Sequence, residues 1–372
     1  MMRTAATEMF GIDLPIFAFS HCRDVVVEAS RAGGMGILGA AFMTPDEVEV
    51  SLKWIDERVE GKPYGVDVVF PGTFADLTSD PDPDEILPPA HRQFVDRLID
   101  EAHIPALPVA DAAEFRREHA HKMNMTPRES ERALEIALRH PVKFVVGAMG
   151  VPPRHIIDAV NARGIKVGAL VGSLRHAMKQ REAGTDVLVA QGSEGGGHVG
   201  QVSSLVLWPQ VIDAVSPIPV LAAGGIGRGR QFAAAMALGA AGIWCGSIWL
   251  GTRESELSAQ MKERLFQAKS EDAVVSRALT GKTCRILKSN YTQAWDEAGA
   301  PKPLTFPLQS ILAGEPLRRA ERAGRLDYWT YAIGQIVGEM RSETTVRQVF
   351  ADLLTEYVAA TEDLQALTAA KD

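Results

Sequence analysis

The stretch SEGGGHVG, residues 193–200, places three consecutive glycines directly before a histidine. An imidazole has an ordinary pKa near 6.5, so it can take or release a proton close to neutrality. Glycine has the most backbone freedom to lose on folding, so a run of three implies a sharp bend or a close approach to another group. His198 is then held at the end of that bend. Two other stretches, AAGGIGRGR (222–230) and CGSIW (245–249), put small residues where the chain leaves one element and enters the next. Backbone N–H groups at such turns bind anions, because helix N-termini carry unpaired donors and a partial positive charge. Neither stretch is a P-loop, since no Lys-Ser/Thr pair follows the glycines. GGIGRG also lacks the acidic residue at the distance that a dinucleotide-binding β–α–β unit requires.

These groups need a scaffold, and the apolar pattern predicts one. Short apolar runs recur at 14–19, 35–40, 64–70, 142–148, 165–171, 186–191, 219–224 and 242–247, with helical segments between them. Thr44 followed by Pro45 marks one helix start. Near-continuous apolar strands alternating with helices indicate a parallel sheet buried on both faces. Eight evenly spaced units predict a (β/α)₈ TIM barrel over residues 1–255; an open doubly wound sheet is the alternative. The rhythm breaks after the third strand, where residues 71–140 read as a helical inserted cap segment. Residues 256–372 read as a C-terminal helical extension packed on the barrel, charged and without strand rhythm. In a barrel, reactive groups sit at the C-terminal ends of the strands, and the loops after strands seven and eight are the usual phosphate grip. Both small-residue turns fall there.

Composition narrows the function. The 372 residues carry a formal net charge of −8, which gives no basic face for nucleic acid. Three cysteines without close pairs argue against a disulfide framework or a zinc site, and no metal is expected. The N-terminal stretch has no apolar h-region, so a cytoplasmic protein is the default. Residues 231–252 hold no charge and are long enough to span a bilayer, but they break at LGAAG and read as a buried helix followed by a buried strand. No membrane association is expected.

AQGSEGGGHVG, PVLAAGGIGRGRQFAAAMALGAAGIWCGS and the run from 150 to 192 together resemble the nitronate monooxygenase family, formerly 2-nitropropane dioxygenases, across most of residues 10–255; YAIGQIVGEM (331–340) resembles it more weakly. The same barrel is similar to flavin-dependent enoyl reductases and NADH:quinone reductases. The resemblance implies FMN, with its phosphate on Gly224, Gly225, Gly246 and Ser247, close to Ala223. Gln191 and Gly192 are implied to border the flavin, and Gly196 and Gly197 to let the loop approach the ring, so that His198 is delivered over it as the catalytic base or polarising group. The implied reaction is oxidation of an alkyl nitronate with O₂ to a carbonyl compound and nitrite. The alternative is an NAD(P)H-dependent flavin reductase of quinones or enoyl thioesters. A homodimer is compatible with either.

Four features depart from the family pattern, the first being a mild one: the loop reads EGGGH where the family often has EAGGH. Strand one, FAFSHC, replaces an Ala-Pro-Met-like stretch under the flavin, so Ala18 and Phe19 line it and His21 becomes a second catalytic candidate. Asp67 stands where the family offers an Asn; an Asp is expected to accept from flavin N3–H but not to donate to a ring carbonyl, and a salt-bridged structural role is the alternative. Ser247 replaces a common Thr and keeps a hydroxyl for the phosphate.

Overall fold

Eight parallel strands close into a barrel: β1 (Ile16–Ser20), β2 (Met35–Gly39), β3 (Tyr64–Val69), β4 (Phe144–Ala148), β5 (Lys166–Val171), β6 (Val187–Gln191), β8 (Val220–Ala223) and β9 (Gly242–Cys245). A computed structural model describes residues 2–70, 82–123, 127–148 and 150–368. The barrel closes through the pairing of Ile16 with Ile243 and Phe17 with Trp244. Alternation along each strand sends one set of side chains inward. Phe17, Met35, Ile37, Phe144, Val146, Val189, Leu221 and Ala223 fill the lumen. The other set, including Ala18, Ala190, Ala222 and Cys245, packs outward against the helices. The N-terminal helix Ala5–Phe10, capped by Thr4, plugs the barrel floor. Phe10 meets Phe144 at 4.7 Å and Phe17 at 5.5 Å between ring centroids. Burying such a ring stabilises the fold by roughly 1.5–3 kcal/mol. With the floor closed, the lumen opens only at the C-terminal ends of the strands.

Two features differ from the sequence expectation. After β9 the chain makes only a 3₁₀ turn, Ser247–Gly251. The eighth outer position is filled by the helix Val346–Thr368, which packs between the helices Arg23–Arg31 and Gly229–Ala237. Phe350 lies on Trp249, and Tyr357 on Phe232. The chain thus leaves the barrel after strand eight and returns about a hundred residues later to complete the ring. The segment between is not purely helical. It carries β10 (Ala273–Ser276) and β11 (Cys284–Leu287), an antiparallel pair that adds a two-residue strand, β7 (Gly197–His198), to its edge.

Residues 71–81, the start of the expected insertion, and 124–126 lie outside the described residues. Of the rest of that stretch, the helix Pro127–Ala137 packs with Val66, Val68 and Val145 and serves as the third outer-ring helix. The helices Pro89–Glu101 and Val109–Met123 pack instead with the helix Leu308–Arg322 in one apolar cluster that includes Tyr291 and Trp295. No helix among the described residues is long and apolar enough to cross a membrane.

Candidate active site

At the open end of the barrel, β1 to β3 contribute one wall. Phe19 turns inward and stacks on Trp244, with centroids 5.8 Å apart. Ala18 is fully buried in the outer layer, so its side chain packs against the helices and cannot line the lumen. His21 meets Phe19 edge-on at 5.3 Å. Its Nδ1 lies 2.8 Å from the carbonyl oxygen of Gly39. A carbonyl only accepts, so Nδ1 carries the proton. Burial holds the His21 pKa below its ordinary value, which leaves Nε2 with a free lone pair. Gly39 has no alternative side chain available: a Cβ there would lie 2.7 Å from His21 Nδ1.

Asp67 pairs with Gly39 across the β2–β3 ladder and is 3% exposed. Its Oδ1 is buried without a hydrogen-bond partner. It forms no ion pair among the described residues, so the salt-bridge alternative is set aside. Desolvation raises its pKa well above the carboxylate range. The expectation that this residue can only accept is corrected accordingly: a neutral carboxyl has both a donor and an acceptor, as an Asn does.

The opposite wall is the glycine loop. Gln191 ends β6, and its amide donates to the Gly196 carbonyl at 3.0 Å. Gly192 has no room for a side chain, because a Cβ would meet Ser204 Oγ at 2.0 Å. Gly195 is closed on by Gln191 Nε2 at 2.7 Å, and Gly196 by the Ile333–Gly334 backbone at 2.7 Å. Gly197 has φ +75°, the left-handed region that favours glycine. The glycine run is therefore explained first by close approach of the protein to itself, and only its last member by a turn. Glu194 accepts from the N–H of Ser204 at 3.0 Å and from its hydroxyl at 3.0 Å, locking the loop to the next helix.

His198 ends this loop as half of β7, opposite Cys284 of β11. Its Nε2 lies 3.0 Å from Thr280 Oγ1. Burial, with a smaller contribution from the charge of Lys282, pulls the His198 pKa down to about 4. The ring is therefore neutral at pH 7, where an ordinary histidine with a pKa near 6.5 would still be about one quarter charged. No hydrogen bond or ring contact joins His198 to His21 among the described residues.

The small-residue turns complete the rim. Two helix N-termini here are already occupied by carboxylates: Glu194 takes the start of Ser204–Val215, and Glu356 accepts from Gly229 N–H at 2.8 Å and pairs with Arg228. An anion must therefore use the turns themselves. Gly224 and Gly225 are consecutive residues with φ +101° and +71°, a backbone path that only glycine follows without strain. Gly246 is open, with Phe19 the nearest group to a notional Cβ at 3.6 Å. Ser247 Oγ accepts from Gly334 N–H at 2.8 Å, which leaves its O–H free to donate.

Sequence reasoning missed Thr280, Lys282 and Arg285. Arg285 of β11 donates through Nε to the Ser193 carbonyl at 2.7 Å and so holds the glycine loop from outside. The signal was present: AVVS and CRIL are short β-prone runs flanking a turn that contains Thr280 and Gly281.

Comparisons with known proteins show the family and the fold. The family described as Nitronate monooxygenase matches residues 4–356. A Mycobacterium tuberculosis protein named "Putative monooxygenase Rv1533" is 43% identical, covering 98% of this chain and 99% of its own. A Rhodococcus jostii protein named as a hydroxy-methyl-oxo-octahydro-indene-carboxyl-CoA dehydrogenase is 30% identical, over 80% of this chain and 69% of its own. The crystal structure of nitroalkane oxidase from Streptomyces ansochromogenes superposes with a TM-score of 0.79 at 26% identity, covering 96% of this chain and 99% of that one.

Proposed function

The chain belongs to the nitronate monooxygenase family, and from that premise we propose an FMN-dependent oxidoreductase that converts an alkyl nitronate and O₂ to a carbonyl compound and nitrite. The observation that carries the reading is a neutral, buried imidazole held on a glycine loop at the barrel mouth, on the rim that also bears the paired glycine turn Gly224–Gly225.

The residues present fit FMN. Gly224, Gly225, Gly246 and the free O–H of Ser247 would hold the phosphate, since a side chain at Gly225 would crowd Glu194 Cβ at 3.2 Å. The unpartnered Oδ1 of Asp67 fits a polar ring edge, with Phe19, Gln191, Gly192 and Ala223 as neighbouring wall. FMN bound there supplies the electron acceptor for the substrate carbon. His198, neutral at pH 7, hydrogen-bonds a nitronate oxygen or takes the proton of a neutral nitroalkane on its unprotonated nitrogen. Burial of the ring strengthens either contact by excluding water. His21, with its Nε2 lone pair free, is the second group able to accept a proton at this mouth.

A second reading, NAD(P)H-dependent chemistry on a thioester or quinone, is favoured by the name of the Rhodococcus relative, which acts on a CoA thioester. Anaerobic mixing of the FMN-loaded protein with an alkyl nitronate, NADH or NADPH separates the two. Bleaching of the flavin by the nitronate alone supports the first; bleaching by a reduced nicotinamide but not by the nitronate replaces it with the second.

A further inference from the structure

One wall of the barrel mouth is a series of rings that runs from the lumen to the surface. Trp244 of β9 stacks on Phe19 of β1 at 5.8 Å, Phe19 meets His21 edge-on at 5.3 Å, and His21 in turn meets Phe42 at 6.1 Å between centroids. Gly39 makes room for this packing: a Cβ there would lie 2.8 Å from Phe19 Cζ and 2.9 Å from His21 Cε1. A defined turn between β2 and the helix Pro45–Asp56 places Phe42. The Ala40 N–H donates to the Asp67 carbonyl at 2.9 Å, and the Met43 N–H donates to the Ala40 carbonyl at 3.1 Å. Thr44 and Glu47 close a capping box directly after it. The turn that carries the ring is thus ordered without a ligand, which lowers the entropic cost of binding one.

Single exposed apolar side chains are ordinary on a protein surface. Phe42 differs in what lies against it. It is 36% exposed, the one exposed phenylalanine among the described residues, and its ring touches an imidazole of the candidate site. Aromatic pairs favour centroid separations of about 4.5–7 Å, and every step of the series falls within that range. The outer surface of Phe42 still meets water. A further ring laid against it removes apolar area from water on both partners. A substrate whose reacting carbon lies within reach of His21 has this lane as its apolar neighbour.

Resting on the reading above, we propose that the lane Phe19–His21–Phe42 is the subsite for the apolar body of the substrate, that this body is an aryl group a few bonds from the reacting carbon, and that Phe42 determines the preference for it. The substrate class is then an arylalkyl nitronate rather than a short-chain alkyl one. The test compares kcat/KM for two preformed nitronates, those of 2-phenylnitroethane and of nitroethane. The wild type favours the aryl compound by about tenfold, the scale of one aromatic pair. Phe42→Ala removes most of that ratio and leaves kcat/KM for the nitronate of nitroethane unchanged, whereas Phe42→Trp keeps the ratio. The loss appears in KM and not in kcat, as removal of uniform binding does. Because Phe42 sits on a surface turn, a melting curve of the alanine variant separates lost contact from lost fold.

A second readout needs no turnover. The probe is 3-phenylpropionate, whose planar carboxylate has the shape and charge of a nitronate, with 3-cyclohexylpropionate as the equally apolar control. NMR of the imidazole C–H signals in the full-length protein follows His21, which a bound aryl ring shifts by its ring current. The phenyl probe shifts the His21 signal saturably, the cyclohexyl probe binds more weakly, and Phe42→Ala raises the Kd of the phenyl probe by about tenfold. If the wild type oxidises no nitronate, the functional reading fails, while this titration still decides the lane. A kcat/KM ratio that Phe42→Ala leaves unmoved, or a phenyl probe that leaves His21 unshifted, overturns the proposal. Equal affinity of the two probes overturns the assignment of an aryl group.

Discussion

The barrel rim and the C-terminal hairpin hold the same imidazole by different means. The rim supplies backbone: Gly192, Gly195 and Gly196 let strands, loop and the Ile333–Gly334 segment close to contact distance, and Gly224–Gly225 make a turn with two successive positive φ angles. The hairpin supplies side chains: Thr280 on the ring, Lys282 as its neighbouring charge, Arg285 on the loop carbonyl. Backbone geometry of the first kind is fixed by residue type at each position, because few residues other than glycine fit. Side-chain contacts of the second kind tolerate exchange, so the rim is expected to withstand substitution less well than the hairpin.

The largest effect is expected from breaking the rim. Gly225→Glu puts a side chain at φ +71°, against Glu194 Cβ at 3.2 Å, and a negative charge at the turn proposed to hold the phosphate. Strain at such a position costs about 1–3 kcal/mol before charge repulsion is added. FMN affinity, measured by fluorescence titration of the apoprotein, should fall on the order of a hundredfold. A variant that binds FMN as the wild type does would move the phosphate elsewhere and dissolve the contrast between the two regions.

That difference also explains what the sequence made legible. Glycine triplets and paired small-residue turns leave a mark in sequence, since their alternatives do not fit; the loop around His198 could be read from them, while the eight strands and the barrel were read from the recurring apolar runs. The inward and outward faces of β1 were less legible. FAFS is apolar on both faces, as a strand buried on both sides must be, so nothing in it shows that Ala18 turns out and Phe19 in. The hairpin escaped because its strands are four residues each and are surrounded by charged helical sequence. The eighth helix escaped because it is separated from β9 by the whole of that segment. The neutral state of Asp67 was not readable at all, because desolvation depends on the closed barrel around it.

The next effect in size concerns His198. His198→Asn should keep its flavin and lose about 10²-fold in turnover, the lower end of the usual contribution of general-base assistance. The neutral nitroalkane should suffer more than the preformed nitronate, because only the former needs proton removal. Equal losses would make the imidazole a hydrogen-bond donor only. Unchanged activity per bound flavin, with a lower melting temperature, would reduce the loop to packing and leave His21 as the group to test by the same substitution.

A smaller effect distinguishes the two walls of the lumen. Asp67→Asn keeps the shape and the donor–acceptor pair of a neutral acid, so FMN affinity at pH 6 should stay close to that of the wild type. The wild-type carboxyl is held neutral only by burial, and an ionised Asp67 would present no donor and an unpaired charge. FMN affinity of the wild type should therefore decline as pH rises toward the folded-state pKa of Asp67, and the Asn variant should show no such decline. Equal pH dependence in both proteins would remove Asp67 from the flavin site.

The smallest effect is on stability, and there the two walls should act with opposite sign. His198 has a folded pKa near 4 against about 6.5 when unfolded, so between those values the unfolded chain binds the extra proton. Its neutral burial therefore costs nothing above pH 6.5 and destabilises the fold as pH falls from 6.5 toward 4. Asp67 has a raised folded pKa, so above the ordinary carboxylate value the unfolded chain binds fewer protons than the folded one. Its contribution is fully present below about pH 4 and is lost as pH rises. Urea titrations across pH 4 to 8 should show His198→Asn flattening the acid side of the stability profile and Asp67→Asn flattening the neutral side. If His198→Asn leaves the acid slope unchanged, the imidazole is better solvated than its place between the glycine loop and the hairpin implies, and the shared grip of the two regions on this ring is looser than the Thr280 contact indicates.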